Sequence, residues 1–208
     1  MLSPTTNFPM PIVTPRLVLQ PPNISYNDVH EYFDAVMESM NEISLWLPWA
    51  KYYPSIPQVE DYIRSCNSNW ITKDNNNIGL PLWIIEKESN KFIGNIVMWN
   101  IIWDIPKFEF GYWLRTSQTK KGYITEAVNA LTRYCFQQLG IKRIEIRCEK
   151  ENTRAWLVPK RLGFELEGTL RNSTIAVSNG ELTDTMVFSR IDPEQLPKLE
   201  VKWVNKST

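Results

Sequence analysis

The feature that most constrains the fold is a glycine-bearing loop between an apolar segment and an amphipathic one. The apolar segment, residues 108–114, predicts a strand, and helical spacing of apolar residues begins at about Tyr123. Such a loop brings several backbone N–H groups and the positive end of a helix dipole to one point. Lys120 and Lys121 add positive charge beside Gly122. The pattern therefore predicts an anion site that suits a pyrophosphate group.

A second informative segment, residues 152–164, follows one predicted strand later and ends in Leu-Gly-Phe. Together, the two segments resemble the Gcn5-related N-acetyltransferase (GNAT) superfamily, and within it the ribosomal-protein N-terminal acetyltransferases. The resemblance is carried by residues 108–164 and extends more loosely from about Thr14 to Arg190. It implies an α/β (α+β) fold in one GNAT-like domain, which we assign to residues 1–192.

Hydrophobic periodicity by itself predicts only a mixed α/β single domain, and the topology comes from the resemblance. That topology is a mixed, mostly antiparallel sheet of about seven strands flanked by about four helices. A polar loop is expected at residues 73–79, an Asn-Gly hairpin turn at residues 178–180, and a loosely attached C-terminal tail at residues 193–208. The predicted strands cover residues 16–20, 82–86, 92–99, 107–114, 143–148, 166–177 and 183–191.

Charge and composition argue against several classes of protein. The 23 basic and 23 acidic residues cancel, so there is no global electrostatic case for nucleic acid or an anionic membrane. No apolar stretch approaches the length of a membrane span, and the N-terminus lacks a secretory pattern, which favours a cytoplasmic protein. Cys66, Cys135 and Cys148 lack paired metal-site spacing, so we expect buried free thiols and no metal.

The resemblance implies acetyl-CoA as cofactor, with CoA as product. The family's phosphate loop aligns with residues 119–124, where Gly122 allows close backbone approach while Thr119 and Ile124 depart from the usual pattern. The pantetheine arm is expected to pair with the backbone of the preceding strand. The expected cofactor-binding residues are Tyr112, Trp113, Leu114, Thr119, Lys120, Lys121, Gly122, Tyr123, Ile124, Thr125, Asn152, Arg154, Ala155 and Lys160.

Glu109 is the candidate catalytic residue. Strand alternation places Phe108, Phe110 and Tyr112 on one face, and Glu109 on the other with Gly111 and Trp113. In the family, a carboxylate at this point takes the proton of the amine, directly or through water. The alternative is a sheet glutamate that faces solvent or a lysine, and the sequence leaves both open.

Two positions depart from the family where an acid toward the CoA thiolate is expected. The serine of the ribosomal-protein branch aligns with Ala155, and the tyrosine of other branches aligns with Pro159. A thiol with a pKa of about 8.5 is a fair leaving group, so water is able to protonate it. The loss is therefore expected to slow catalysis without abolishing it. Pro159 should also bend the helix that contains it.

The acceptor is predicted from the chemistry of amines. An α-amino group, with a pKa of about 7.7–8.0, is roughly one-tenth neutral at pH 7, whereas a lysine at about 10.4 is almost wholly protonated. A protein or peptide N-terminus therefore needs only modest help from Glu109. The alternatives are a small amine (aminoglycoside, polyamine or amino acid) or a CoA-binding module without turnover. By resemblance, the acceptor pocket forms near Trp46, Trp49 and the second helix; monomer and homodimer both stay open.

Overall fold

The computed structural model describes residues 8–73 and 78–203. In these residues one mixed sheet is flanked by four α-helices. The helices are α1 (Tyr26–Ile43), α2 (Ile56–Thr72), α3 (Tyr123–Gln137) and α4 (Thr153–Arg161). The strands are β1 (Ile12–Val13), β2 (Leu17–Gln20), β3 (Leu80–Glu86), β4 (Lys91–Ile102), β5 (Lys107–Leu114), β6 (Arg143–Glu149), β7 (Glu165–Ile175), β8 (Leu182–Arg190) and β9 (Lys202–Trp203).

The predicted fold class is confirmed, with a correction to the strand number. Within the described residues the sheet has nine strands in the order β7-β8-β6-β5-β4-β3-β2-β1-β9, and β5–β6 is its parallel pair. The seven predicted strands correspond to β2–β8. The two extra strands, β1 and β9, have two residues each, which is too short for a period of two to be recognised.

The C-terminal segment is a second correction. We expected a loosely attached tail after Pro193, but Lys202 and Trp203 pair with β1, and Leu196 is buried. Arg133 on α3 also donates hydrogen bonds to the carbonyl oxygens of Leu196 and Pro197. These contacts join residues far apart in the chain, so local composition does not reveal them. Residues 204–208 of the expected tail lie outside the described residues.

Local sequence accounts for where the helices begin. Ser25 caps α1 by accepting a hydrogen bond from the Asp28 N–H, and Ser55 forms a capping box with Gln58 at the start of α2. At the start of α3 the N-cap residue is Gly122, with φ of 80°. Because glycine has no side chain to cap the helix, the first N–H groups of α3 are left for another partner.

The two faces of the sheet carry separate apolar clusters. One packs α3 and α4 against residues such as Phe110 and Ile146, and the other packs α1 and α2 against Trp83 and Trp113. Trp70, Trp83 and Trp113 are buried, but Trp49 is half exposed and Trp99 is also exposed. Trp49, Tyr52 and Tyr53, all exposed, lie between α1 and α2.

The three cysteines are free thiols, as predicted, but only two of them are buried. Cys66 and Cys135 are buried free thiols, and Cys148 is half-buried. No helix in residues 8–73 and 78–203 is long and apolar enough to cross a membrane. The same residues hold no group of three His, Cys, Asp or Glu side chains suited to a metal ion. Residues 1–7, relevant to the secretory pattern, and residues 74–77 of the expected polar loop lie outside the description.

Candidate active site

The defining feature of the site is a divergence of two neighbouring strands. β5 pairs in parallel with β6 only through residues 107–109 of β5 and residues 143–145 of β6. On its other edge β5 pairs with β4 as far as Leu114. Beyond Glu109, the β5 backbone groups that face β6 therefore have no strand partner. Such groups need another hydrogen-bonding partner, and an extended amide-bearing ligand is able to supply one.

A cavity of about 590 Å³ opens beside this divergence. Its lining comes from the end of β5, the loop before α3, the end of α1 and the start of α4. It includes every predicted cofactor-binding residue except Lys121 and Lys160. The lining residues outside that prediction are Glu42, Ile43, Trp46, Leu47, Thr116, Leu157, Val158 and Arg161.

The loop before α3 has an unusual backbone. Lys120 and Gly122 both have positive φ, at 64° and 80°, and both line the cavity. Arg16, which immediately precedes β2, supports the loop from outside. It donates a 3.0 Å hydrogen bond to the Lys121 carbonyl and lies 4.6 Å from the centre of the Tyr123 ring. The start of α3 and the charge of Lys120 thus meet at one end of the cavity, as an anion site requires.

The two predicted residues outside the cavity are engaged elsewhere. Lys121 donates a 2.8 Å hydrogen bond to Gln118, and the Lys160 ammonium lies 5.7 Å from the centre of the Trp156 ring. The geometry therefore favours Lys120 as the lysine that faces a bound anion. Contacts of Lys121 and Lys160 with a cofactor stay predictions.

Sequence reasoning missed a set of contacts from α1 to the start of this loop. Glu38 accepts hydrogen bonds from the Ser117 N–H at 2.8 Å and from Arg115 Nε at 2.6 Å. Ser39, fully buried, accepts a 3.1 Å bond from the Thr116 N–H. Partial burial acts to raise the Glu38 pKa, but the bonds from Ser117 and Arg115 lower it overall. The signal available in the sequence was a serine, Ser39, three residues after Val36 on the helical spacing of the apolar stripe.

A further contact of the same kind comes from Glu42. It accepts a hydrogen bond from the Thr116 hydroxyl and lines the cavity. Together, these contacts fix the loop on α1, the helix that also forms the opposite wall of the cavity. Hydrogen bonds therefore connect the two walls of the cavity directly.

Glu109 lies where the two strands part, since it is the last β5 residue paired with β6. It is only 6% exposed, which excludes the alternative of a carboxylate that faces open solvent. Burial raises its pKa, against the opposing effects of the Asn100 hydrogen bond and of Arg147, whose Nε is 3.9 Å away. Glu109 is not part of the cavity lining described above. The structure thus places it at the base of the divergence rather than in the cavity wall.

On the other side of the divergence, Tyr112 contacts α4. Its hydroxyl donates a 2.8 Å hydrogen bond to the carbonyl oxygen of Ala155. Asn152 caps α4 by accepting a bond from the Ala155 N–H at 3.1 Å. Burial raises the Tyr112 pKa well above its ordinary value, so the phenol stays protonated. Both hydrogen bonds lie in the cavity wall that the sequence assigned to the cofactor.

The opposite wall is aromatic. Trp46 and Leu47, which follow α1, line the cavity next to Trp113. Trp49 packs on Trp113 with ring centres 6.0 Å apart and is 50% exposed. Trp46 thus occupies the wall predicted for an acceptor, whereas Trp49 supports that wall from outside the lining. The cavity joins an anion site, an unpaired strand edge and an aromatic wall.

Comparison with known proteins agrees with this geometry. The acetyltransferase (GNAT) domain family matches residues 16–165. An uncharacterized N-acetyltransferase, p20, of Bacillus licheniformis is 32% identical over 68% of this chain and 76% of its own length. The ribosomal-protein-serine acetyltransferase of Escherichia coli is 28% identical over 72% and 82%. Mycobacterium smegmatis RimJ, solved with a CoA disulfide, has a TM-score of 0.75 at 20% identity, covering 95% of this chain and 93% of RimJ.

Proposed function

The chain belongs to the acetyltransferase (GNAT) family, and from that premise we propose that it transfers the acetyl group of acetyl-CoA to the α-amine of a protein or peptide N-terminus. The observation that carries this proposal is the divergence of β5 from β6 beside a helix start without a side-chain cap. That arrangement provides a strand edge for an amide-bearing arm and N–H donors for a pyrophosphate in one cavity.

The described residues fit acetyl-CoA. The first N–H groups of α3 and the Lys120 ammonium hold the pyrophosphate, because donors and positive charge meet there. The free β5 edge after Glu109 accepts and donates hydrogen bonds to the amides of the pantetheine arm. Acetyl-CoA supplies the thioester whose carbonyl carbon the amine attacks.

In this proposal Glu109 removes the proton from the attacking amine, directly or through one water. Its raised pKa brings it closer to that of an α-amine, which improves proton transfer near neutral pH. Glu109 shares one face of β5 with Trp113, which packs against α1 and α2, so the amine approaches from the α1–α2 side, past Trp46 and Trp113. A buried carboxylate held by Asn100 is also pre-oriented for this task.

The acceptor class rests on amine chemistry and on the relatives. An α-amine is far more often neutral at pH 7 than a lysine, so one carboxylate base suffices to remove its proton. The Escherichia coli relative is named a ribosomal-protein-serine acetyltransferase, which supports a protein N-terminus, and a ribosomal one in particular. Acetylation of ribosomal proteins would take place in the cytoplasm. A small amine is the alternative acceptor.

Release of CoA thiol from acetyl-CoA with matched acceptors tests the proposal. The panel contains peptides with free serine, alanine or methionine N-termini, the same peptides acetylated at the N-terminus but carrying an internal lysine, and small amines such as spermidine and an aminoglycoside. We expect release with free N-termini and none with the blocked peptides. Release only with small amines would support the alternative, and CoA binding without any release would support a binding module.

A further inference from the structure

We propose that Tyr112 is a catalytic residue of this acetyl transfer, and that its hydroxyl donates a hydrogen bond to the departing CoA sulfur. The inference rests on the proposed function. It provides a hydrogen-bond donor for the leaving thiolate, because both positions where the family carries an acid lack one in this sequence.

Pro159 leaves one carbonyl of α4 without its usual hydrogen-bond donor. In an α-helix the N–H of residue 159 would donate to the carbonyl of residue 155, but proline has no N–H. The Ala155 carbonyl thus loses its helical donor. The Tyr112 hydroxyl takes its place, with an oxygen–oxygen distance of 2.8 Å. The phenol is therefore held in one orientation, across the gap between β5 and α4, by a neutral acceptor.

The phenol of Tyr112 has a defined position along the cavity. The β5 residues that line the cavity are Leu114, Trp113 and Tyr112, in order of distance along the strand from the phosphate loop. Tyr112 is thus the lining residue of β5 nearest Glu109, the residue where the strands meet. A pantetheine arm that starts at the phosphate loop and follows β5 brings its thioester to this end. The sulfur and the phenol then share this end of the cavity.

Negative charge develops on the CoA sulfur during the reaction. As the new N–C bond forms and the C–S bond breaks, the bonding electron pair leaves with sulfur, and Glu109 takes the amine proton. Hydrogen bonds to a charged acceptor are roughly twice as strong as those between neutral groups, so the hydroxyl turns from the Ala155 carbonyl to the thiolate. Burial raises the Tyr112 pKa above that of a thiol, about 8.5, so the phenol keeps its proton and water later protonates the thiolate.

The competing explanation is that Tyr112 only fastens α4 to the sheet. Two backgrounds, the parent protein and its Pro159→Ala variant, distinguish the two roles. In the Pro159→Ala variant the helix regains its N–H donor to the Ala155 carbonyl, so the structural bond from Tyr112 becomes redundant. Tyr112→Phe is then compared with tyrosine in both backgrounds, by single-turnover acetyl transfer, by CoA affinity and by thermal unfolding.

We expect Tyr112→Phe to slow acetyl transfer by about tenfold or more in both backgrounds, which is the loss expected for one hydrogen bond to a charged group. In the Pro159→Ala background, CoA affinity and the unfolding temperature should not change with Tyr112→Phe. Ala155→Ser should restore part of the rate to Tyr112→Phe, because it adds another donor near the sulfur. An unchanged transfer rate in the Pro159→Ala background would overturn the inference and leave the proposed function intact. An absence of transfer to every amine in the parent protein would overturn both.

Discussion

Asn100 donates a 2.8 Å hydrogen bond to Oε2 of Glu109 from a bulge in β4. The bulge lies between Trp99 and Ile102, and Asn100 within it has a φ of 45°. This left-handed conformation, which asparagine tolerates better than most residues, turns the amide toward β5. The hydrogen bond stabilises the charged form of Glu109, whereas burial stabilises its protonated form. Asn100 thus lowers the pH above which Glu109 is able to act as a base.

Replacing Glu109 by glutamine tests that role. Above its raised pKa the parent carboxylate is ionised, while the amine acceptor is mostly protonated until about pH 8. The base therefore matters most at the lower end of that range. We expect Glu109→Gln to slow single-turnover transfer by about a hundredfold near pH 6 and by less near pH 9, with CoA affinity nearly unchanged. Equal rates for parent and variant across pH 6–9 would remove Glu109 from the mechanism.

Removing the amide of Asn100 should shift the pH profile instead of abolishing transfer. Asn100→Gly keeps the positive φ but removes a hydrogen bond that lowers the Glu109 pKa. The Glu109 pKa then rises further, so the acid limb of the rate profile moves to higher pH. Asn90→Gly is the matched control, because Asn90 also has positive φ, at 54°, and lies in the exposed β3–β4 turn. An acid limb at the parental pH in Asn100→Gly would contradict this coupling.

Gly122→Val tests the phosphate site. The side chain would project beside Arg16, and it would impose a β-branched residue on a φ of 80°, at a cost of at least about 1–2 kcal/mol in folding stability. Gly180→Val is the control, since its φ is 78° and no atom lies within 4 Å of its added Cβ. Both variants should be less stable, but only Gly122→Val should lose CoA affinity by calorimetry. A folded Gly122→Val with parental CoA affinity would place the pyrophosphate elsewhere.

The sequence predicted those parts of the site that are built from consecutive residues. The loop around Gly122 and the helix start at Asn152 are visible because glycine, lysine and capping residues stand next to a regular apolar pattern. Contacts between distant residues were not visible. Nothing local to Asn100 indicates that it reaches Glu109, and nothing local to Tyr112 indicates that it replaces the helical donor lost at Pro159.

The contacts of α1 with the phosphate loop also join distant residues and were not visible in the sequence. They yield a further prediction. Glu38→Gln replaces a charged acceptor of the Ser117 N–H and of Arg115 by a neutral one. The loop should become less fixed, and we expect CoA affinity to fall several-fold, since hydrogen bonds to charged groups contribute about 1.5–3 kcal/mol when buried and less here. Asp34→Asn, an exposed change one turn earlier on α1, is the control.

The sign of the pH effect offers a second check on Glu38. Its pKa is lowered in the folded protein, so the stability that it contributes is present above its unfolded pKa of about 4.5 and is lost as pH falls through the folded value. The difference in thermal stability between parent and Glu38→Gln should therefore shrink on acidification below about pH 4.5. A constant difference down to pH 3 would contradict the assigned hydrogen bonds.

Ala155→Ser adds a hydroxyl at the position where the family's ribosomal-protein branch carries one. Ala155 lines the cavity in the first turn of α4, next to the Tyr112 hydroxyl. If protonation or hydrogen bonding of the leaving sulfur limits transfer, the single-turnover rate should rise by up to about tenfold. The gain should be larger in Tyr112→Phe than in the parent, because two donors that serve one sulfur are not additive. Equal gains in both backgrounds would show that the two hydroxyls act independently. A serine hydroxyl that a structure of the CoA complex places within reach of the sulfur, with no gain in either background, would show that departure of the thiolate does not limit this reaction.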